Sequence, residues 1–379
     1  AFCQISYTRA RTKHKGEKQV EKWKEIIVMA TMKAAVMYGP NDIRYEDTEK
    51  PVCPQDGLIL KIMAVGLCGS DIRNLTSDSR KGNYPFIYGH EIVGVVDEVG
   101  PETTKYKVGD RLYLFPGTYC MECDNCISGH SENCENEHVA KLAGTGGFAQ
   151  YIAVGGEKIK YGGIYRIPEG IKYEAASLGE PLTSVYACED NIGVGYNDVV
   201  VIIGAGPIGN LVAQTAKGMG AAKVMITDVS DLRLAKAKEC GIDICVNTKE
   251  KNFGEALVDA FGPDKADVIY DCAGNNITMG QAIQYARKGS VIVLVAVFAD
   301  MATVDLAVAN DHELDIKSTM MYRHDDYVDA IDLVNAGKVH LKPLISKTFK
   351  FKDYLKAYQY IDENRETTMK VIINVQEKE

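Results

Sequence analysis

Four cysteines stand close together at Cys120, Cys123, Cys126 and Cys134. The spacing C-x2-C-x2-C-x7-C allows four soft thiolates to close a tetrahedral shell around Zn²⁺, which leaves no coordination position open for chemistry. We therefore predict a structural zinc site here, with an iron–sulfur cluster as the alternative that the same ligands allow. The surrounding lobe, 117–134, is loop-rich and has little core of its own. The metal is therefore expected to supply much of its stability.

Cys68 and His90 are a second pair of side chains that could bind a metal. A thiolate and an imidazole so far apart in sequence are more often packing residues than ligands, and the pair alone does not predict a site. They gain weight as metal ligands from the four-cysteine stretch that follows.

A glycine turn at 204–209, Gly-Ala-Gly-Pro-Ile-Gly, is the third chemical signal. In such a turn the first glycine permits a tight bend, the second lets the backbone approach a pyrophosphate, and the third lets the helix pack on the strand. The helix N-terminus adds N–H donors and positive dipole. Asp228 follows nineteen residues after Gly209, where it would bind the adenosine ribose and favour NAD over NADP. The alternative is a glycine-rich turn in some other α/β sheet.

The elements that must position these groups change in type along the chain. Short strand-like runs between Gly and Pro turns over 33–65 and 92–99 are typical of a small β domain. From 199 to about 297, β-branched strands alternate with helices, which predicts a doubly wound parallel sheet. Beyond about 320 the pattern predicts helices over 325–336 and 353–362 and a strand over 370–375.

Composition narrows the class of protein. The 379 residues suggest two domains, and the net charge of −9 argues against nucleic acid or an anionic membrane as a partner. No apolar run is long enough to span a membrane. Eleven cysteines, odd in number and clustered, favour metal binding in a reducing compartment, so we expect a cytoplasmic protein. The basic segment 1–31 is expected to be a disordered or added extension and not a secretory signal.

From Met32 onward the motifs resemble, in order, the zinc-containing medium-chain dehydrogenase/reductases and, within them, the sorbitol (polyol) dehydrogenase branch. The resemblance implies a GroES-like β-rich catalytic domain over 32–181 and 321–379, and an inserted Rossmann NAD-binding domain over 182–320, with the active site in the cleft between them. Besides the four cysteines and the glycine turn, it rests on Cys68-Gly69-Ser70-Asp71, Gly89-His90-Glu91, Gly147-Phe148-Ala149-Gln150-Tyr151, Glu180-Pro181-Leu182 and Met369-Lys370-Val371.

The resemblance also implies roles for individual residues. Cys68 and His90 would bind a catalytic zinc, with Glu91 as a further ligand or an outer neighbour. Glu180 stands where alcohol dehydrogenases have a second cysteine, and a carboxylate there can hold the metal directly or through its water; the alternative is a capping acid ahead of a helix. Ser70 would take the alcohol proton. The implied cofactor contacts are Gly204, Gly206, Pro207, Ile208, Gly209, Asp228, Arg233, Val295 and Val297.

The function implied is hydride transfer between NAD and a secondary hydroxyl of a polyol, sugar or cyclic alcohol, in which the substrate is neutral, phosphorylated or acidic. Two zinc ions per chain and a homodimer or homotetramer are expected. One alternative is a redox-neutral enzyme whose retained NAD oxidises a carbon transiently before elimination or epimerisation. Another is a binding protein that keeps NAD and zinc without catalysis.

Two positions depart from the family pattern. Arg73 stands where relatives commonly have the histidine that ends a proton relay, and a guanidinium does not release its proton near pH 7. Arg73 would either bind an anionic group of the substrate, with help from Arg323 or the loop Arg80-Lys81, or pair with the cofactor pyrophosphate or a nearby acid. Met321 precedes Tyr322 where polyol enzymes tend to have arginine. Because of these two departures, the family resemblance does not identify the substrate.

Overall fold

A computed structural model describes residues 30–77, 81–117, 119–136, 146–323 and 325–376. Most of the predicted extension 1–31, Thr118 of the four-cysteine lobe, and Arg80 lie outside the described residues. The strands, in chain order, are β1 Thr31–Gly39, β2 Asp42–Glu49, β3 Leu58–Leu67, β4 Phe86–Ile87, β5 Glu91–Val99, β6 Arg111–Leu114, β7 Tyr151–Val154, β8 Ile164–Arg166, β9 Val199–Ile203, β10 Lys223–Asp228, β11 Ile244–Asn247, β12 Val268–Asp271, β13 Val291–Leu294, β14 Asp315–Ser318, β15 Ile345–Lys350 and β16 Lys370–Asn374.

The helices are α1 Gly69–Leu75, α2 Asp124–Ile127, α3 Gly156–Lys160, α4 Tyr173–Ala176, α5 Gly179–Ile192, α6 Pro207–Met219, α7 Asp231–Glu239, α8 Phe253–Phe261, α9 Asn276–Tyr285, α10 Leu306–Asp311, α11 Asp326–Asn335 and α12 Tyr354–Glu363. Short 3-10 turns cover Ser131–Asn133, Lys342–Leu344 and Phe351–Asp353. In the described part of the chain, no helix is both long and apolar enough to cross a membrane.

A seven-stranded sheet joins the two ends of the chain. Its strands lie in the order β15-β16-β3-β5-β6-β8, and β7 also pairs with β3. Strand β3 is buried almost throughout because it lies between neighbours, and the late strand β16 pairs with it antiparallel. A smaller sheet, β2-β1-β4, adds to the same core. The GroES-like catalytic domain built from both chain ends is thereby confirmed.

A six-stranded sheet forms the second half of the molecule, in the order β11-β10-β9-β12-β13-β14, and every pairing in it is parallel. The apolar run 199–203 is strand β9, at the centre. Chain order reverses between β9 and β12, and doubly wound sheets bind their ligands at such a switch point. The Rossmann prediction is confirmed, while the domain limits 32–181, 182–320 and 321–379 stay a prediction.

Three local limits of the elements bear on the site. Strand β13 ends at Leu294 because the next two amides, of Val295 and Ala296, both turn to the carbonyl of Asp271. Within 146–154 only β7 is a strand. Helix α5 begins at Gly179, so Glu180 lies inside its first turn and not ahead of it. Pro181 is compatible with that turn, since a first-turn N–H has no partner in the helix.

Helix α5 also carries a buried acid, Glu189, which is 0% exposed. Within the described chain neither of its carboxylate oxygens has a hydrogen-bond partner. Burial raises the pKa of Glu189 well above its usual range, an effect that the nearby backbone of Ala216 opposes. Folding therefore favours the neutral form of this side chain.

This acid predicts a loss of stability at higher pH. The unfolded chain releases the Glu189 proton from about pH 4.3, whereas the folded chain holds it to a higher pH. The stabilisation that the protonated Glu189 contributes is therefore fully present below about pH 4.3. It is lost as the pH rises toward the folded-state pKa of Glu189. Between about pH 5 and pH 8 we expect the melting temperature of the wild type to fall by about 3 °C or more relative to Glu189→Gln.

Thermal unfolding of zinc-saturated protein, followed by circular dichroism across this range, measures the difference. Glu169→Gln, which alters an exposed glutamate, is the control and should follow the wild type. Parallel pH curves for the wild type and Glu189→Gln would show that Glu189 does not carry the effect.

Candidate active site

A cleft of about 1100 Å³ opens between the two sheets. From the catalytic side its wall includes the predicted residues Cys68, Ser70, His90, Glu91 and Glu180. From the nucleotide side it includes the predicted residues Pro207, Ile208, Arg233, Val295 and Val297, whereas the other predicted cofactor contacts, Gly204, Gly206, Gly209 and Asp228, are not among its lining residues. Residues more than a hundred positions apart in sequence thus face one space, which could hold a dinucleotide together with a small substrate.

Three of these residues form a group that could bind a metal ion. Single ligand atoms of Cys68, His90 and Glu91 lie within 4.8 Å of one another. Cys68 directly follows β3 and is the N-cap residue of α1, while Glu91 begins β5 directly opposite Gly66 of β3. A side chain at position 66 would overlap Oε2 of Glu91, so glycine is required for this carboxylate to lie where it does. Oε2 is buried and has no hydrogen-bond partner in the described chain, as expected of an oxygen available to a cation.

Lys370 holds the other oxygen of Glu91. Its Nζ donates to Oε1 at 2.5 Å and to the Leu67 carbonyl at 3.4 Å, and both charged side chains are almost fully buried. Burial alone would lower the pKa of Lys370, but Glu91 and, after it, Cys68 raise it above its usual value. The ammonium therefore stays charged and fixes the orientation of the carboxylate.

Asp71 orients the other two members of the group. Its Oδ2 accepts the Cys68 backbone N–H at 3.0 Å, and its Oδ1 lies 3.6 Å from Nδ1 of His90. Burial alone would lower the pKa of His90, but the Asp71 carboxylate opposes it and raises that pKa well above its usual range. An acid beside a ligand histidine fixes the ring orientation and makes the other nitrogen more basic.

Glu180 lies on the same cleft wall but outside the three-residue group. Its Oε1 accepts a 2.8 Å hydrogen bond from the hydroxyl of Tyr322, a residue that is itself buried. Burial raises the pKa of Glu180, and His90 opposes that rise. Glu180 is therefore not one of the residues whose ligand atoms come together, and its role toward a metal stays a prediction.

Four residues of the site were not predicted from the sequence: Asp71, Lys370, Gly66 and Tyr322. The signal for Lys370 was a lysine directly before the apolar run Val371–Ile373, since a lysine that is buried with such a run needs an acidic partner. Tyr322 and Gly66 gave no comparable signal, because their roles depend on contacts between distant segments.

The four cysteines of the lobe come together as the spacing predicts. Their sulfur atoms lie 3.9 Å apart for Cys120 and Cys126, 4.0 Å for Cys123 and Cys134, and 3.6 Å for Cys134 and Cys120. Tetrahedral Zn²⁺ with Zn–S bonds of about 2.3 Å would separate its ligands by about 3.8 Å. These distances fit a four-thiolate zinc shell.

The glycine turn has the geometry that a dinucleotide requires. Gly204 has φ of 103°, and a Cβ at Gly209 would overlap the Gly204 carbonyl oxygen, so the turn needs glycine at both ends. A Cβ at Gly206 would meet nothing within 4 Å. It would project into open space at the N-terminus of α6, where a pyrophosphate would bind.

Asp228 is held against this turn by backbone amides. Its Oδ2 accepts from Ala205 N at 2.7 Å, and its Oδ1 accepts from Val229 N at 2.7 Å and Ser230 N at 2.9 Å. Nη1 of Arg233 lies 3.9 Å from Oδ2. A carboxylate has about four acceptor positions, so the three amides leave about one of them unfilled. Asp228 was predicted as a ribose ligand and is also a structural part of the turn.

Arg323 is already engaged elsewhere and is not among the residues that line the cleft. Its guanidinium pairs with Asp190 at 2.5 Å and with Asp326 at 2.8 Å. The suggestion that Arg323 helps Arg73 to bind a substrate anion therefore finds no support in this structure.

Two family models match this chain. The alcohol dehydrogenase GroES-like domain covers residues 54–161, and the zinc-binding dehydrogenase domain covers residues 207–336. The first matches part of the seven-stranded sheet with the Cys68, His90 and Glu91 group, and the second begins in the glycine turn.

Several proteins that are similar to this chain are described as dehydrogenases. Sorbitol dehydrogenase of Bacillus subtilis is 30% identical over 352 residues, which cover 91% of this chain and 98% of that protein. A solved structure from Escherichia coli CFT073, described as a short chain alcohol dehydrogenase complexed with the cofactor NADH, is 27% identical, with a TM-score of 0.81 over 91% of this chain and 99% of its own. Galactitol-1-phosphate dehydrogenase from Escherichia coli is 26% identical, with a TM-score of 0.80 over 91% and 100%. The chain therefore belongs to the zinc-containing medium-chain dehydrogenase/reductases, in the branch of the sorbitol dehydrogenases.

Proposed function

We propose that this protein is a zinc-dependent dehydrogenase that oxidises a secondary hydroxyl of a polyol, sugar or cyclic alcohol with NAD. The observation that carries the proposal is the group of ligand atoms on Cys68, His90 and Glu91, within 4.8 Å of one another. This group lies on the wall of a cleft whose opposite wall includes Pro207 and Ile208 of the glycine turn. A metal ligand set and a dinucleotide turn that share one cleft suit hydride transfer better than binding alone.

The donor set fits zinc, because a thiolate, an imidazole and a carboxylate are the ligands that Zn²⁺ takes in catalytic sites. Cys68, His90 and Glu91 would hold the ion, and Glu180 would act on it through water. The chemistry that zinc and NAD supply when bound is polarisation of the substrate hydroxyl and acceptance of its hydride.

The remaining steps belong to the side chains of the cleft. Ser70 lies on its wall, two residues after Cys68, and its hydroxyl would accept the alcohol proton and pass it to water. Asp71 and Lys370 would keep the imidazole and the carboxylate in place while this occurs. Val295 and Val297 would exclude water from the nicotinamide face.

The substrate class follows from the relatives in part. Their names include a neutral polyol, sorbitol, and a phosphorylated one, galactitol 1-phosphate. We therefore propose a polyol-type substrate. Assays with neutral, phosphorylated and acidic compounds will decide its charge. No comparison supports the redox-neutral alternative or the non-catalytic one.

We further propose a homodimer or homotetramer that works in a reducing compartment such as the cytoplasm. The ten described cysteines are free thiols, which suits that compartment, and cell fractionation would test it. The expectation that neither nucleic acid nor a membrane is a partner rests on the net charge of −9 and stays a prediction.

The function is tested with zinc-loaded protein, NAD and a panel of polyols, sugars, their phosphates and the corresponding acids. We expect NADH to accumulate, seen by its absorbance, and two zincs per chain by elemental analysis. Cys68→Ala should lower the count to one and reduce turnover at least a thousandfold, because the ligand set is broken. Cys123→Ser should instead lower the melting temperature.

Cys53→Ser is the matched control, since Cys53 belongs to neither ligand group, and it should keep both metals and full activity. One zinc per chain in fully active protein would contradict the two-site assignment. Substrate consumed without any NADH would contradict net oxidation and favour the redox-neutral alternative.

A second prediction concerns the cofactor. Asp228→Ser should lower the ratio of kcat/KM for NAD to that for NADP by about tenfold or more, because the carboxylate binds the ribose and repels a 2′-phosphate. The ratio is the correct readout, since loss of three amide contacts will also lower stability. Asp243→Ser, at a side chain that is 85% exposed, is the control. Equal use of both cofactors by the wild type would refute the ribose role.

A third prediction concerns assembly. Strand β14 is exposed at all four residues and, among the described strands, pairs only with β13. An edge strand of this kind offers unpaired backbone groups to a second copy, so we expect light scattering to give the mass of at least two chains. Ile316→Asp, on that strand, should shift the mass toward one chain. A wild type that is monomeric at micromolar concentration would exclude this interface.

A further inference from the structure

Four residues with cationic side chains, besides His90, line the described part of the cleft: Arg73, Arg233, Arg365 and Lys370. Three of the four have an acidic partner. Lys370 pairs with Glu91 at 2.5 Å, Arg233 lies 3.9 Å from Asp228, and Arg365 pairs with Asp362. In the described part of the chain no acid pairs with Arg73.

The guanidinium of Arg73 lies close to the ligand group. Its Nη1 is 3.7 Å from the point where a Cβ would stand on Gly69, and Gly69 lies between Cys68 and Ser70. The side chain therefore folds back along α1 toward the start of that helix. The acid on the same helix, Asp71, is buried and turned to Cys68 and His90, so it does not neutralise this charge.

A guanidinium in a cleft, with no acidic partner among the described residues, favours one chemical class of ligand. Its planar fork of N–H donors matches the two oxygens of a phosphate or carboxylate, and such charge-assisted pairs are about twice as strong as neutral hydrogen bonds. The group cannot act as a proton relay, because it stays protonated at any physiological pH. Its chemistry at this position is therefore binding.

We propose that Arg73 binds an oxyanion, a phosphate or carboxylate group, inside the cleft beside the metal ligand group. The oxyanion belongs either to the cofactor pyrophosphate or to the substrate, and this choice rests on the function proposed above. In the first case Arg73 strengthens cofactor binding. In the second it makes the protein selective for polyol phosphates or sugar acids over neutral polyols.

The test measures binding separately from turnover. NADH is titrated by fluorescence into zinc-loaded wild type, Arg73→Gln and Arg73→Lys. Thermal shifts of the NAD-loaded proteins are then recorded with a neutral polyol, its phosphate and its acid. Arg365→Gln is the matched control, because it removes a cleft-lining arginine that already has an acidic partner. Circular dichroism and zinc content establish that each variant is folded and loaded.

A cofactor role predicts that Arg73→Gln raises the Kd for NADH about tenfold, with Arg73→Lys in between and Arg365→Gln unchanged. A substrate role predicts an unchanged Kd for NADH and loss of the thermal shift with the phosphate or acid alone. Either result supports an oxyanion site. Unchanged Kd and unchanged shifts in Arg73→Gln, or an equal effect in Arg365→Gln, would overturn it. Because these readouts need no turnover, they stand even if the panel finds no substrate.

Discussion

The buried ion pair between Lys370 and Glu91 is the interaction on which the site depends. Two charges removed from water cost several kcal/mol each unless their geometry is good, and here Nζ and Oε1 are 2.5 Å apart with both side chains almost fully buried. The pair is possible only because β16 lies beside β3 and β3 beside β5. The sheet that joins the two ends of the chain therefore also fixes the orientation of the Glu91 carboxylate.

The same group of residues shows why a dication suits this place. Glu91 and Glu180 contribute two carboxylates to a small buried region, in which Lys370 pairs with Glu91 and His90 opposes the rise in the pKa of Glu180. The pKa of Glu180 is raised first by burial, with a further contribution from Glu91, which is the cost of gathering acids away from water. A bound divalent cation would relieve that cost, so the electrostatics agree with the ligand chemistry.

Local signals gave the nucleotide sheet and the cysteine lobe correctly, because each is encoded within a short segment. The run 199–203 is strand β9, and the sulfur atoms of the lobe lie at zinc-like separations. The contacts of the active site were less predictable. That Lys370 holds Glu91, or that Tyr322 holds Glu180, depends on residues 279 and 142 positions apart, and no local pattern encodes such a pairing. The distance in sequence from the glycine turn identified Asp228, but it did not predict the three backbone amides that donate to its carboxylate.

The position of β16 in the chain has a consequence for biosynthesis. This strand follows the whole nucleotide-binding sheet in sequence, yet it lies between β15 and β3 in the seven-stranded sheet. While the ribosome is still translating the nucleotide half, β3 and β5 have emerged, but Glu91 has no ammonium partner and an edge of β3 is uncovered. The order of translation therefore separates the completion of the cysteine lobe from that of the Cys68, His90 and Glu91 group. The cysteine lobe is encoded within one early segment, 117–134, whereas the ammonium that pairs with Glu91 is added only with β16.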